Sequence, residues 1–289
     1  MVDPQYRAHP MREAKTQDGA SVSYLDQGEG EVVVLLHGFP QSHLAWRFII
    51  EDLSRTHRVI APDWVGWGRS ERRTDLHYDY KSEVQRLAGF LDAIGVERFN
   101  LFGHDYGGYL GLGFYEDHPA RVLRLAILNS RAHRTFPGLR YLVFKFAELL
   151  AGTPLINELY RILPLGWILR TGLKRELPTN AQDPEVLAEY TACMDKPEGR
   201  LWLRQLYIGY TTRERPELVA SLANITCPTA VIWGDKDPWC PPSIAEDLAS
   251  RIESATLTRF PNAGHFVLEE EEPGLFQAMK SLLDRPVHT

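Results

Sequence analysis

The sequence predicts an α/β fold: a mostly parallel, twisted sheet flanked by helices, with a helical cap inserted between two of its later strands. Three observations carry that reading. Short, continuous apolar runs alternate with helix-length segments, and Val32-Val33-Val34-Leu35-Leu36 is uniformly apolar, as a strand covered on both faces must be. Strand signals vanish from about Ser130 to Leu222, where the chain turns helical and aromatic. They return at Thr229, and the strands that follow need the earlier ones to complete a sheet. A chain of 289 residues with 44% apolar content can bury one such core with an insertion. The division expected is residues 1–129 and 223–289 for the α/β core and 130–222 for the cap.

Each element has its own warrant. Residues 20–25 (Ala-Ser-Val-Ser-Tyr-Leu) alternate as an edge strand does, and Gly28 to Gly30 makes the turn into the buried run at Val32. That run ends in His37-Gly38-Phe39-Pro40. Ser42 to Leu53 has helical spacing, with Trp46, Ile49, Ile50 and Leu53 on one face. Arg58 to Ala61 is a short strand, Lys81 to Ile94 a helix stopped by Gly95, and Phe99 to Phe102 the next strand. A helix then runs to about His118 ahead of Pro119, and Val122 to Leu128 is another buried strand. In the cap, Pro154, Pro164, Pro178, Pro184 and Pro197 divide the helical pattern into short pieces. Thr229 to Trp233 and Ala255 to Phe260 are the closing strands, with helices at Ile244 to Ile252 and Pro273 to Leu283.

The bulk composition excludes several function classes. Net charge is -6 with both signs spread along the chain, so no basic stripe invites nucleic acid, and the expected partner is a small, mostly apolar molecule. Met1 to Thr16 holds no apolar run of signal-peptide character and the longest apolar stretches elsewhere are strand-sized, which predicts a cytoplasmic protein with no membrane partner. Cys193, Cys227 and Cys240 are odd in number and far apart, a pattern of plain thiols rather than of disulfides or a zinc site. No metal cluster and no Gly-x-Gly-x-x-Gly loop is apparent, so no cofactor is expected.

The chemistry concentrates in Leu101-Phe102-Gly103-His104-Asp105-Tyr106-Gly107-Gly108-Tyr109, an apolar strand running through a small-residue turn into a helix. The Gly-x-Asp-x-Gly core has the spacing of a nucleophile elbow, where the sharp turn leaves no room for side chains two positions either side. Two later loops, each after an apolar strand, carry Asp237 and His265. Loops at the carboxyl ends of parallel strands gather at one edge of the sheet, so three residues far apart in sequence can meet there. An aspartate at a helix start is also a common cap, but here it stands between Gly103 and Gly107. Asp235 competes with Asp237 as the acid. His104 is expected to point away and pack structurally, His37 to order its own loop, and Asp63 and Ser70 to hold a turn.

Together, His37-Gly38-Phe39-Pro40-Gln41, Gly103-His104-Asp105-Tyr106-Gly107-Gly108, Gly234-Asp235-Lys236-Asp237 and Gly264-His265-Phe266 resemble the α/β-hydrolase superfamily, in particular its aspartate-nucleophile branch of epoxide hydrolases and haloalkane or haloacetate dehalogenases. The likeness covers about residues 20 to 284. It implies that Asp105 is the nucleophile, Asp237 the orienting acid and His265 the general base, in the nucleophile, acid, histidine order of that fold. It also implies an oxyanion hole from the backbone N–H groups of Phe39 and Tyr106. The family spacing Gly-x-x-Asp favours Asp237 over Asp235, and Asn129, where some dehalogenases carry the acid, is an amide without the needed charge.

An ionised carboxylate can attack a saturated carbon that bears a leaving group, forming an alkyl ester that water later cleaves. The dehalogenases of this branch use a tryptophan directly after the nucleophile and often an asparagine in the first loop as halide donors; this sequence has Tyr106 and Phe39 there. Epoxide hydrolases use cap tyrosines as ring-opening acids, and Tyr207 matches that role by its spacing to the returning strand, with Tyr160 or Tyr141 as a second. The leading expectation is therefore an epoxide hydrolase giving a diol. The alternative is a haloalkane or haloacid dehalogenase whose halide is held by cap donors such as Trp167 or Trp202. A non-catalytic ligand-binding relative is a further reading, against which the full set of Asp105, Asp237 and His265 argues.

Overall fold

The computed structural model describes residues 10–153, 156–211, 214–270 and 272–287. Eight strands form one sheet: β1 (Met11–Lys15), β2 (Ser21–Gln27), β3 (Val32–Leu36), β4 (Arg58–Pro62), β5 (Phe99–His104), β6 (Val122–Leu128), β7 (Thr229–Gly234) and β8 (Ala255–Phe260). Their spatial order is β1-β2-β4-β3-β5-β6-β7-β8, with β1, β2 and β4 paired antiparallel and every pairing from β4 onward parallel. From β3 the chain steps to β4 on one side and returns to β5 on the other. The carboxyl ends of β3 and β5 therefore flank a topological switch point, where open α/β sheets bind their ligands.

The core helices are α1 (Arg47–Leu53), α2 (Tyr80–Ala93) and α3 (Tyr106–Asp117). Six helices lie between β6 and β7: α4 (Gly138–Ala151), α5 (Asn157–Ile162), α6 (Leu165–Glu176), α7 (Pro184–Ala192), α8 (Pro197–Gly209) and α9 (Pro216–Ser221). Then come α10 (Pro242–Arg251), α11 (Val267–Glu270) and α12 (Glu272–Leu283). Strand residues alternate between two cores: Val34 and Leu36 pack with α2, α3 and α10, Val33 and Leu35 with α1 and α12. Because both faces are covered, β3 and β5 to β7 read as unbroken apolar runs.

The elements match the sequence reading closely, with one correction. Residues 20–25 do form a strand, but β2 is not the edge; β1 pairs outside it from Met11↔Leu25 to Lys15↔Ser21. Met11-Arg12-Glu13-Ala14-Lys15 lacks alternation, and its pairing is held by backbone bonds and by Arg12 on Asp26 at 2.6 Å. The helical spacing from Ser42 resolves into a 3-10 turn, His43–Trp46, leading into α1. Prolines punctuate the insertion as expected: Pro184 and Pro197 open α7 and α8, where a missing N–H costs nothing, and Pro164 and Pro178 flank α6. Pro154 lies outside the described residues, as do residues 1–9 of the amino-terminal stretch. Among the described residues no helix is long and apolar enough to cross a membrane. The three cysteines are free thiols.

Candidate active site

β5 leads into Asp105, whose φ of 47° and ψ of -111° put a non-glycine residue in a strained region that typically costs about 1–3 kcal/mol. Its neighbours allow the bend. A Cβ on Gly103 would collide with the Gly107 carbonyl, and one on Gly107 with the Leu36 carbonyl. The main chain of Asp105 is pinned on both sides, its N–H donating to the Leu128 carbonyl at 3.0 Å and its carbonyl accepting the Ser130 hydroxyl at 2.6 Å. Oδ2 accepts the Phe39 N–H at 2.9 Å, and the Tyr106 N–H acts on the same carboxylate. Burial pushes the Asp105 carboxyl above its ordinary range, opposed by His265 and these two backbone donors.

His265 follows β8 and Asp237 follows β7. Its Nδ1 lies 2.8 Å from Asp237 Oδ2, which leaves Nε2 facing Asp105 Oδ1 at 3.9 Å, beyond hydrogen-bond reach. Burial alone would lower the His265 pKa; the Asp237 carboxylate and its hydrogen bond, with the Asp105 charge behind them, outweigh it and carry the imidazole up to about 9. For Asp237, burial works against ionisation, and His265 with the Asn129 amide prevails, holding the carboxyl below its usual value. Asp237 Oδ1 accepts the N–H groups of Trp239 at 2.7 Å and Cys240 at 2.9 Å. Asp235 instead faces outward and pairs with Arg259 at 2.7 Å.

Above these groups lies a cavity of about 370 Å³ whose wall is mostly apolar: Phe39, Trp67, Phe136, Phe144, Leu169 and Leu206 among others. Its few polar groups are Asp105, His265, Tyr207, Tyr210 and, with Trp239, Glu176. The Tyr207 hydroxyl makes no hydrogen bond among the described residues, and burial raises its pKa, so it keeps its proton. Tyr210 accepts a hydrogen bond from Arg131 Nε at 2.6 Å; burial raises its pKa too, with Arg131 pulling the other way. Tyr106 also lines the cavity, but its hydroxyl donates to the buried Glu83 carboxylate at 3.1 Å.

Among the described residues, Asp237, Cys240 and His265 form a group whose ligand atoms lie within 4.8 Å of one another. Burial, then the Asp237 and Asp105 charges, push the Cys240 thiol far up. Asp237 and His265 are meanwhile committed to each other.

Residues 31–272 match the family model described as alpha/beta hydrolase fold. The chain belongs to the alpha/beta hydrolase family. It is 26% identical to the cis-3-alkyl-4-alkyloxetan-2-one decarboxylase of Shewanella oneidensis, across 93% of this chain and 86% of that protein. It is also 26% identical to haloalkane dehalogenase 2 of Mycobacterium tuberculosis, across 93% of each. In structure it resembles an inferred ancestral haloalkane dehalogenase, with a TM-score of 0.79 at 22% identity over 94% of this chain and 98% of the other, a likeness of fold. The expected superfamily, with relatives in its dehalogenase branch, is thus found.

Within this alpha/beta hydrolase the expected residues fall into two groups. Asp105, Asp237, His265, Phe39, Tyr106 and Tyr207 converge on the cavity or directly behind it. Tyr160, Tyr141, Trp167 and Trp202 do not line it. Trp202 is sunk in the core, edge-on to Trp67 at 4.7 Å; Trp167 is exposed on α6; Tyr160 is buried on α5; and Tyr141 packs against the core cluster. All four are aromatics of the insertion, alike in sequence, and helix phase turns them elsewhere. The reading missed Tyr210. A signal was present, since Tyr210 stands three residues after Tyr207, one turn on at the end of α8. Asn129 was also undervalued: its amide donates to Asp237 Oδ2 at 2.8 Å and its carbonyl accepts the Gly234 N–H at 2.9 Å. His104 is a packed structural residue, with Nε2 2.8 Å from the His265 carbonyl. His37 accepts the Trp64 N–H at 3.0 Å, and Asp63 accepts those of His43 and Arg69 while Ser70 bonds its carbonyl.

Proposed function

We propose that this hydrolase opens an epoxide to a diol through an ester on Asp105. The supporting observation is the distribution of donors: Tyr207 and Tyr210 both line the cavity with Asp105, whereas residues 39 and 106 offer it no side-chain donor, Phe39 having none and Tyr106 giving its proton to Glu83. An alkoxide leaving group needs a proton, and two high-pKa phenols are the right form to supply one. Asp105 Oδ1 attacks a ring carbon, the C–O bond breaks, and a tyrosine proton goes to the alkoxide. Oδ2, already on the Phe39 N–H, becomes the ester carbonyl oxygen.

Esterification removes the Asp105 charge that helps hold the imidazolium, so the His265 pKa falls, its proton passes to the tyrosinate, and the ring becomes a base when one is needed. It takes a proton from water, which adds to the ester carbonyl; the oxyanion is met by the Phe39 and Tyr106 N–H groups, and collapse releases the diol while Asp105 keeps one oxygen from water. The new carboxyl proton passes to the departing alkoxide, and His265 is left as the imidazolium it began as. Asp237 keeps His265 oriented throughout.

A halide-releasing reading has support of its own in the likeness to haloalkane dehalogenase 2. The likeness to an enzyme named for an oxetan-2-one, another strained oxygen ring, sits closer to ring opening. Diol release from styrene oxide, halide release from bromoalkanes and turnover of an oxetan-2-one, measured side by side, decide between them. Diol as the dominant product upholds the proposal; halide alone, or lactone turnover alone, replaces it. With His265→Gln the ester should accumulate, and mass spectrometry should find the adduct on the peptide containing Asp105; an adduct elsewhere removes the assigned nucleophile.

A further inference from the structure

We infer that the outward face of α4 docks this protein onto an anionic lipid surface, with the cavity mouth set against it. Leu139, Leu142, Phe146 and Leu149 follow i, i+3, i+7, i+10 spacing and are 59% to 75% exposed. That is a continuous apolar stripe turned to solvent, which a soluble surface seldom carries without a partner. The adjoining face of the same helix is apolar as well, since Val143, Phe144 and Ala147 line the cavity. Val143 is 57% exposed and Ile168 on α6 is 44% exposed while both line the cavity, so the cavity reaches the surface between α4 and α6, beside the stripe. Trp167, next to Ile168, adds an exposed aromatic of the kind that settles at headgroup level.

Charge selects the occupant. Residues 138–176 hold six basic and three acidic side chains, a net of +3, in a chain whose net charge is -6. A helix that is apolar outward and set among cations fits the interface of an anionic bilayer. A second copy of the chain would bring two such segments of net positive charge together, even with Lys145, Arg161 and Arg170 paired to Glu148, Glu158 and Asp195, which disfavours self-pairing. The expectation of no membrane partner rested on the absence of a spanning segment, and a surface-lying helix needs none. Apolar molecules dissolved in the lipid would then enter the cavity without crossing water, whichever bond the site opens.

The test is co-sedimentation with vesicles of equal parts phosphatidylcholine and phosphatidylglycerol, beside vesicles of phosphatidylcholine alone. The protein should pellet with the mixed vesicles, less so as salt rises. The double variant Leu142→Ser/Phe146→Ser, whose side chains are exposed and outside the cavity wall, should lose about tenfold or more in affinity with an unchanged melting curve. Leu257→Ser, an exposed apolar residue on the edge strand β8 and outside the cavity and the α4 stripe, is the control and should pellet like the parent. Parent protein that stays in the supernatant overturns the inference, as does a double variant that pellets equally. So does light scattering that finds a dimer which the double variant makes monomeric.

Discussion

Asp237 spends its whole carboxylate on position and charge: one oxygen takes two backbone N–H groups, the other holds His265 and the Asn129 amide. Asp237→Asn would keep the shape and remove the charge that raises His265 to about 9. Turnover should fall by on the order of 10³- to 10⁴-fold, with the loss in ester hydrolysis rather than in ester formation. Single-turnover kinetics separate the two; an equal loss in both steps would contradict the assigned role. At this scale the residue types and their order were legible, because Asp105, Asp237 and His265 each stand in a loop after an apolar strand. The choice between Asp235 and Asp237 was legible only by spacing, and the structure shows why it falls as it does: Asp235 is drawn outward by Arg259.

At the scale of the element, α1, α7 and α11 are tied by a buried polar cluster. Arg47 on α1 pairs with Glu269 on α11 at 2.5 Å, and the Tyr190 hydroxyl on α7 donates to the same carboxylate at 2.7 Å. Gln41 lies 3.4 Å from Glu269 and 3.1 Å from His104, which in turn holds the His265 carbonyl. The insertion is thus wired to the loop of His265. Glu269→Ala would leave the Arg47 guanidinium buried without its counter-ion, and should cost about 3–5 kcal/mol in denaturant unfolding. A loss under about 1 kcal/mol would mean that water reaches Arg47. None of this was legible, since a Glu in Leu-Glu-Glu-Glu-Glu-Pro carries no mark of burial. The strands were the readable elements because burial on both faces writes itself as an apolar run, while β1, an edge held by backbone pairing, writes nothing.

For the whole molecule, the protonation of His265 couples the site to stability. Its folded-state pKa of about 9 lies above the ordinary 6.5, so its contribution is fully present below pH 6.5 and is lost as pH rises through 9. Stability of the parent should decline over that window, and His265→Gln should flatten the decline; parallel curves for the two would show the coupling to be absent. The layered architecture was legible from the alternation of runs. The inner surface of the insertion was not, because it depends on helix phase, and four aromatic residues expected at the substrate turned elsewhere.

Trp202 is the most instructive of those four. Its indole fills the space beside Gly66, where any Cβ would strike it, and lies edge-on to both Trp67 and Tyr78. The helix that carries it, α8, is thereby keyed into the core beside the approach to α2 and the loop of Trp67. Val143 on α4 and Ile168 on α6, partly exposed where the cavity meets the surface, are the side chains that frame its entrance, so its width is set by helices other than the one that Trp202 locks.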